Sequence, residues 1–260
     1  MSARVVIIVQ ARMSSSRLPG KVLMPLAGRP ALVRLMERMY EVSGAAEALV
    51  ATSVAPSDDA VAELCAREGI RCQRGSLDDV LLRYHSAARA AQADVVVRIT
   101  GDCPLHDPAV IDECIGLYHV DKQHVAYVSN VDERTYPDGL DVEVASFAAL
   151  DQAQRSAKSR FEREHVTPWI RRHCRKRSMV QSVDLSDLRW TLDHREDYQV
   201  IAAIYDALAN DSAPPFGART IYQLLLHKPN LILTAARRPL TDSEIDDVRG
   251  RITQLLSEDA

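Results

Sequence analysis

Apolar positions follow two patterns along the chain: short uninterrupted Val/Ile runs, and longer stretches in which every third or fourth residue is apolar. Arg4 to Val9 (RVVIIV) and Asp94 to Thr100 (DVVVRIT) are the strongest runs. Their continuous β-branched character predicts strands buried on both faces of a parallel sheet. Glu47 to Thr52, Ile70 to Gln73 and Ala126 to Ser129 read as shorter strands. Between the runs the spacing becomes helical. Leu32, Leu35, Met36, Met39 and Val42 share one face over 30–42, and Val61, Leu64 and Cys65 follow a cap at Ser57 or Asp58 and stop at Gly69. Leu77, Val80, Leu81, Tyr84 and Ala88 follow a cap at Ser76, and Ile111, Ile115 and Tyr118 follow one at Asp107. This alternation up to about residue 130 predicts an α/β fold with a doubly wound, mainly parallel sheet.

The rhythm then breaks. Pro137-Asp138-Gly139 is a turn, and alternation from Leu140 to Val144 predicts a strand with Asp141 and Glu143 on one face and Val142 and Val144 on the other. Ser159 to Arg175 reads as helical at least up to Thr167, because Pro168 biases the residue before it away from the helical region. Leu188 to Asp193 reads as a short strand ending in a carboxylate, followed by a helix through Val200, Ile201, Ile204 and Leu208. Beyond a Pro-containing linker over 210–217 come an apolar stripe at Ile221, Leu224 and Leu225 and a helix over 241–256. The pattern divides the chain into a domain over 1–210, with an insertion at about 130–185, and a helical extension over 211–260 packed on it.

Composition narrows the function classes. With 47% hydrophobic, 26% charged and only 5% aromatic residues, the chain is globular and poor in stacking surface for single-stranded nucleic acid. A net charge of -4 gives no general attraction to nucleic acid or anionic membrane, so any anion site must be local. The basic cluster Arg171, Arg172, Arg175, Lys176 and Arg177 therefore reads as a solvated face or subunit contact. No stretch approaches the roughly 20 apolar residues of a membrane helix, and the initial apolar run is too short for a secretory signal. The five cysteines are scattered without a CxxC pair and read as reduced thiols. A soluble, cytoplasmic protein is expected.

Local cations appear where an open α/β sheet places its ligands, at the carboxyl end of the first strand. The loop carries Arg12, Arg17, Lys21 and the serines 14–16, a set suited to phosphate oxygens. It is not a Walker loop, because Gly20-Lys21 is followed by Val22, and no GxGxxG is present. Gly101-Asp102-Cys103-Pro104 follows the second strong strand and faces the same crevice, and Asp193 ends the later one.

Ala11-Arg12 with Ser16-Arg17-Leu18-Pro19-Gly20-Lys21, the GDxP string at Asp102 and Arg189-Trp190-Thr191-Leu192-Asp193 together resemble the sugar nucleotidyltransferases. The likeness is to cytidylyltransferases that activate 2-keto-3-deoxy or sialic-type sugar acids, and within them to the SpsF-like branch of spore-coat and surface polysaccharide synthesis. The resemblance covers about residues 4 to 208 and implies a Rossmann-like, nucleotide-diphospho-sugar transferase fold and a homodimer. It implies Mg²⁺-dependent transfer of CMP from CTP to an acidic sugar, with pyrophosphate released. Arg12, Arg17 and Lys21 would act on the phosphates, with Ala11 and Ser16 completing the loop, Arg74 and Ser76 beside the base, and Asp102 and Asp193 on the metal. The acceptor would meet the later segment, with Asp138, Asp141 and Glu143 near its hydroxyls, His165 close by, and Arg163 and Arg189 for its carboxylate. His194 departs from the family, which often has threonine there. Two other readings are a nucleotidyltransferase of the same fold using another nucleotide or acceptor, and a nucleotide-sugar glycosyltransferase or non-catalytic nucleotide-binding subunit. A glycosyltransferase would be expected to carry DxD at a strand end, which the chain lacks.

Overall fold

A computed structural model describes residues 3–234, 238 and 240–258. The outermost positions of the predicted 1–210 and 211–260 ranges, and residues 235–237 and 239 within the second, lie outside the described residues. The chain runs β1 (Val5–Gln10), β2 (Pro25–Leu26), β3 (Arg29–Pro30), α1 (Ala31–Tyr40), β4 (Glu47–Ser53), α2 (Asp59–Arg67), β5 (Cys72–Gly75), α3 (Val80–Ala90), β6 (Val95–Thr100) and α4 (Pro108–Asp121). It continues with β7 (Tyr127–Ser129), β8 (Glu143–Ser146), α5 (Phe147–Ser156), α6 (Arg160–His165), α7 (Pro168–His173), β9 (Lys176–Ser178), α8 (Arg195–Leu208), α9 (Ala218–His227) and α10 (Asp242–Glu258).

The larger sheet has the order β5-β4-β1-β6-β8-β7-β9. Its first four strands are parallel, β8 runs antiparallel to both β6 and β7, and β9 returns parallel to β7. The doubly wound expectation therefore holds, with one antiparallel strand marking the end of the regular alternation. The period-two geometry of a strand explains why β1 is apolar throughout. Val5, Ile7 and Val9 join the core on one face, with α1, α4, α8, α9 and α10, while Val6 and Ile8 join the core on the other, with α3 and α5. Each fully buried aliphatic side chain contributes roughly 1.5–3 kcal/mol, so this central strand is the best-anchored part of the sheet.

Several expected boundaries move. The predicted 140–144 strand lies at Glu143–Ser146, and Ile70–Gln73 shifts to Cys72–Gly75. The helix expected to reach Thr167 ends at His165, because Val166 takes a left-handed φ of 71°. Residues 188–193 form no sheet strand among the described residues; they run between single bridges at Asp138↔Arg189 and Leu188↔Thr234. The cap of α3 is Asp79, whose side chain accepts from the Leu82 amide, while Ser76 Oγ accepts from the Asp79 amide one turn earlier. Ile221, Leu225, Val248 and Ile252 of the C-terminal helices belong to the same core as β1, and no helix among the described residues is long and apolar enough to cross a membrane.

Candidate active site

The loop leaving β1 is held from below by Asp58, a residue the sequence suggested only as a helix cap. Its carboxylate accepts from the Met13 amide at 2.7 Å, the Ser53 amide at 3.3 Å and the Ser53 hydroxyl. Gly20 turns the loop in the left-handed region at φ 72°, which directs Lys21 inward at the start of a single 3-10 turn. Lys21 Nζ then donates to Asp102 Oδ2 at 2.7 Å and to Asp193 Oδ1 at 2.8 Å. Arg17 adds a contact to the same Asp193 oxygen at 2.9 Å.

Asp102 and Asp193 are distant in sequence and adjacent in space for a backbone reason. The Gly101 amide donates to Gln10 O at 2.7 Å, and a Cβ at Gly101 would sit 2.7 Å from that oxygen, so glycine is needed to bring the loop against β1. The Leu192 amide donates to Asp102 O at 2.7 Å and ties the 188–193 segment to the same loop. Asp193 is further fixed by Arg189 Nη2 at 2.9 Å. Arg189 also donates to Asp138 at 2.6 Å and Asp197 at 3.1 Å, and Asp197 accepts from the Asp193 and His194 amides at 2.9 and 2.8 Å. His194 thus opens α8 through a reciprocal capping box with Asp197, and its difference from threonine leaves Asp193 in place.

Burial disfavours the charged Lys21, but Asp102 and Asp193 outweigh it and hold its pKa above the usual lysine value. Burial likewise disfavours the Asp102 carboxylate, and Lys21 outweighs it and holds that pKa below the ordinary value. Lys21 and Asp102 are therefore both ionised at neutral pH. Beside it lies a cavity of about 170 Å³ lined by Gln10, Arg12, Ser16, Arg17, Lys21 and Asp102. A second, of about 600 Å³, shares Arg12 and extends along Leu77, Asp79, Val80 and Arg163. A further hollow of about 490 Å³ between α1 and residues 209–216 contains none of the predicted site residues.

The predicted phosphate loop, Asp102, Asp193, Arg189 and Asp138 are thus brought together, with Ala11 buried at the loop's start. Other expected contacts are not. Arg74 turns away from both cavities to Ser53 O, Ala55 O and Asp59, at 2.8, 3.2 and 2.7 Å, and Ser76 is used in the turn before α3. Glu143 is buried against Arg98 and accepts from Tyr127 and Thr167, both at 2.6 Å. Burial would raise its pKa, but Arg98 outweighs that and lowers it, so Glu143 is an internal counter-ion rather than a sugar contact. All five donors of Arg163 are engaged, by Asp79, Gln154 and Ala157, which leaves no fork for a substrate carboxylate. His165 packs in a tilted ring pair with Phe161 at 4.5 Å, and Asp141 is gripped by Arg134 at 3.0 and 2.9 Å. Asp58 was visible in the sequence only as a candidate helix cap, and Asp197 only as an acid in a first helical turn.

Comparison with known proteins gives a consistent picture. Residues 6–212 match the family model described as Cytidylyltransferase. The chain is 32% identical over 237 residues to the spore coat polysaccharide biosynthesis protein SpsF of Bacillus subtilis, covering 87% of this chain and 95% of that one. It is 37% identical over 116 residues to the 3-deoxy-manno-octulosonate cytidylyltransferase of Methylibium petroleiphilum, a match that takes in 43% of this chain and 42% of that protein. Among solved structures, a cytidylyltransferase from Leptospira borgpetersenii superposes with a TM-score of 0.85 at 27% identity, covering 92% of this chain and 100% of that one.

Proposed function

The chain belongs to the cytidylyltransferase family, and from that premise we propose that it transfers CMP from CTP to a hydroxyl of an acidic sugar in the synthesis of a surface polysaccharide. The observation that carries the reading is the convergence of Lys21 and Arg17 on Asp102 and Asp193 beside a phosphate-sized cavity. The sugar acid named for the 3-deoxy-manno-octulosonate cytidylyltransferase supports an acidic-sugar acceptor, and the name of SpsF supports a polysaccharide as the destination.

The reaction brings a hydroxyl to the α-phosphate of an anionic triphosphate, so the protein's main tasks are charge neutralisation and alignment. Arg12 and Arg17 bind phosphate oxygens from the loop. Lys21 moves from the carboxylates onto the phosphates, where its charge stabilises departing pyrophosphate. Arg189 holds Asp193 in place and presents Asp138 toward a neighbouring cavity of about 200 Å³, where the acceptor's hydroxyls are bound. The donor set suits Mg²⁺: two hard carboxylates face a phosphate cradle, and Mg²⁺ characteristically takes one or two carboxylates and completes its shell with water and phosphate. Asp102 and Asp193 would hold the ion, which when bound would neutralise phosphate charge. A cytoplasmic setting is part of this reading and accords with the free cysteines.

The decisive assay measures pyrophosphate release with each of the four nucleoside triphosphates against a panel of sugar acids and neutral sugars. Release with CTP and a sugar acid is expected. Turnover of another nucleotide alone, or of neutral sugars alone, would overturn the proposal.

A further inference from the structure

The hollow of about 490 Å³ between α1 and residues 209–216 shares no lining residue with the cavities around Lys21, Arg12 or Asp138. Two of its walls are cationic. Arg34 and Arg38, one turn apart on α1, both line it and are 6% and 1% exposed. Each is locked by neutral acceptors: Arg34 donates through Nε to Leu26 O at 3.1 Å and through Nη2 to Ala27 O at 2.7 Å. Arg38 donates to the Tyr205 hydroxyl at 3.1 Å, to His106 O at 3.2 Å and to Phe216 O at 2.6 Å, and it forms no ion pair among the described residues. A guanidinium keeps its charge throughout the range in which proteins are folded, so Arg38 leaves a buried positive charge beside the hollow without a carboxylate of its own.

The acid that closes the hollow is weakly held. Arg34 Nη1 donates to Asp211 at 2.8 Å and to Glu37 at a longer 3.2 Å, and Glu37 is shared with Arg29. Asp211 lies in the connection between α8 and α9 with 72% of its side chain exposed, and an ion pair so open to water contributes little. Among the described residues the Asp211 carboxylate holds nothing else. What it would vacate is already built. Tyr205 is fixed by donating to Pro104 O at 2.6 Å, and the Arg38 guanidinium lies over the Phe216 ring at 4.3 Å. Pro215 and Phe216 continue the wall, and Tyr40, 54% exposed, stands at the rim. A cavity of this volume, with apolar and aromatic walls and a few fixed polar groups, has the form of a small-ligand site. Glu37 and Glu41 in the same lining disfavour a second negative charge, so a monoanion fits where a triphosphate does not.

We propose that this hollow is a second ligand site, taking a small molecule with one carboxylate on a flat apolar ring. The carboxylate replaces Asp211 on Arg34, next to the charge of Arg38, and the ring packs against Phe216 toward the rim at Tyr40. The site goes beyond cytidylyl transfer and needs none of its residues.

The test follows para-fluorobenzoate by fluorine NMR, with neutral para-fluorobenzyl alcohol and ringless acetate as controls, on wild type, Asp211→Ala and Arg34→Met. Saturable binding of the benzoate to wild type is expected, with both controls weaker by about tenfold or more. Asp211→Ala removes the competing acid and should tighten the benzoate about two- to fivefold, whereas Arg34→Met should weaken it by about tenfold or more. Inorganic tripolyphosphate should leave the affinity unchanged, since the hollow and the phosphate cavity have no residue in common. Absence of binding in both wild type and Asp211→Ala would overturn the proposal. So would an alcohol bound as well as the benzoate, an affinity indifferent to Asp211→Ala, or displacement by tripolyphosphate, which would put the probe on the loop after β1. Should Arg34→Met fail to fold, the exposed Asp211→Ala decides alone. No arm uses a nucleotide or a rate, so failure here leaves the cytidylyltransferase reading untouched, and failure of that reading leaves this site standing.

Discussion

At the scale of single residues, one ammonium governs the site. Lys21 is 7% exposed and sits on two carboxylates, so removing it leaves Asp102 and Asp193 facing each other without their shared counter-ion. Lys21→Met should lower turnover by roughly a hundredfold or more, because a charge aimed at the transition-state phosphates is lost from a confined site. A second outcome separates this from misfolding. With the ammonium gone, Mg²⁺ should raise the melting temperature of the variant without nucleotide, whereas wild type should respond to Mg²⁺ chiefly when CTP is present. Thermal scans with and without Mg²⁺ check this, and identical responses would remove the two aspartates from the metal assignment. His106 makes a separate claim about pH. Burial, with Arg38 nearby, drives its pKa down to about 3 from 6.5, and neither ring nitrogen has a hydrogen-bond partner. Between those values the unfolded chain binds a proton that the folded chain does not. Its contribution is therefore intact above about pH 6.5 and falls away toward pH 3, by about 1.4 kcal/mol per pH unit. Denaturant unfolding across that range should show a shallower acid slope in His106→Leu than in wild type.

At the scale of elements, what could be seen in the sequence was what local pattern controls. β1 and β6 are unbroken β-branched runs, and α1, α4 and α8 keep their apolar faces in register, so their identity followed from periodicity. Asp102 and Asp193 were legible because each closes an apolar run next to a polar loop. Pairings across the fold were not. Nothing local to Arg163 announces that Asp79 will take its fork, nor to Glu143 that Arg98 will neutralise it, nor to Arg74 that β4's carbonyls will turn it away. The same holds for Asp58, whose acid reads as a helix start until the loop after β1 folds over it. Segment 188–193 failed as a strand for a related reason: its backbone is used by the Asp102 loop and residues 138 and 234 rather than by a sheet neighbour. Gly139 tests that account. It has φ 122°, and a Cβ there would lie 2.5 Å from the Trp190 carbonyl carbon. Gly139→Ala should cost about 1–3 kcal/mol from the backbone conformation alone, with the clash adding to it. Because the displaced segment carries Asp193, activity should fall further than the fraction unfolded explains; urea titration beside steady-state rates measures both.

At the scale of the whole molecule, the C-terminal helices raise the question of whether the catalytic unit stops where the family match does, at residue 212. The packing argues that it does not. Tyr222 of α9 packs against Trp190 in a tilted ring pair with centroids 5.2 Å apart, and Trp190 is 1% exposed in the segment that delivers Asp193. The Ala218 amide, in the first turn of α9, donates to Asp107, the same carboxylate whose other oxygen caps α4. Val248, Ile252 and Leu255 of α10 continue the core begun by β1 and α1. Removing both helices would expose this apolar surface and take the Ala218 amide from Asp107 Oδ2, and the loss of several buried side chains at roughly 1.5–3 kcal/mol each rivals the total stability of an ordinary domain. A chain cut after residue 217 is therefore expected to be unfolded or aggregation-prone rather than a smaller working enzyme. Tyr222→Ala gives the graded version: destabilisation of about 3–5 kcal/mol by analogy with other large aromatic truncations, and a loss of turnover that is steeper than for an equally destabilising change in α10, such as Ile252→Ala. Melting curves rank the stabilities and rates at saturating substrate rank the activities. If the truncated chain kept its fold and its rate, the helices would be an appendage, and the coupling of Tyr222 through Trp190 to Asp193 would be refuted.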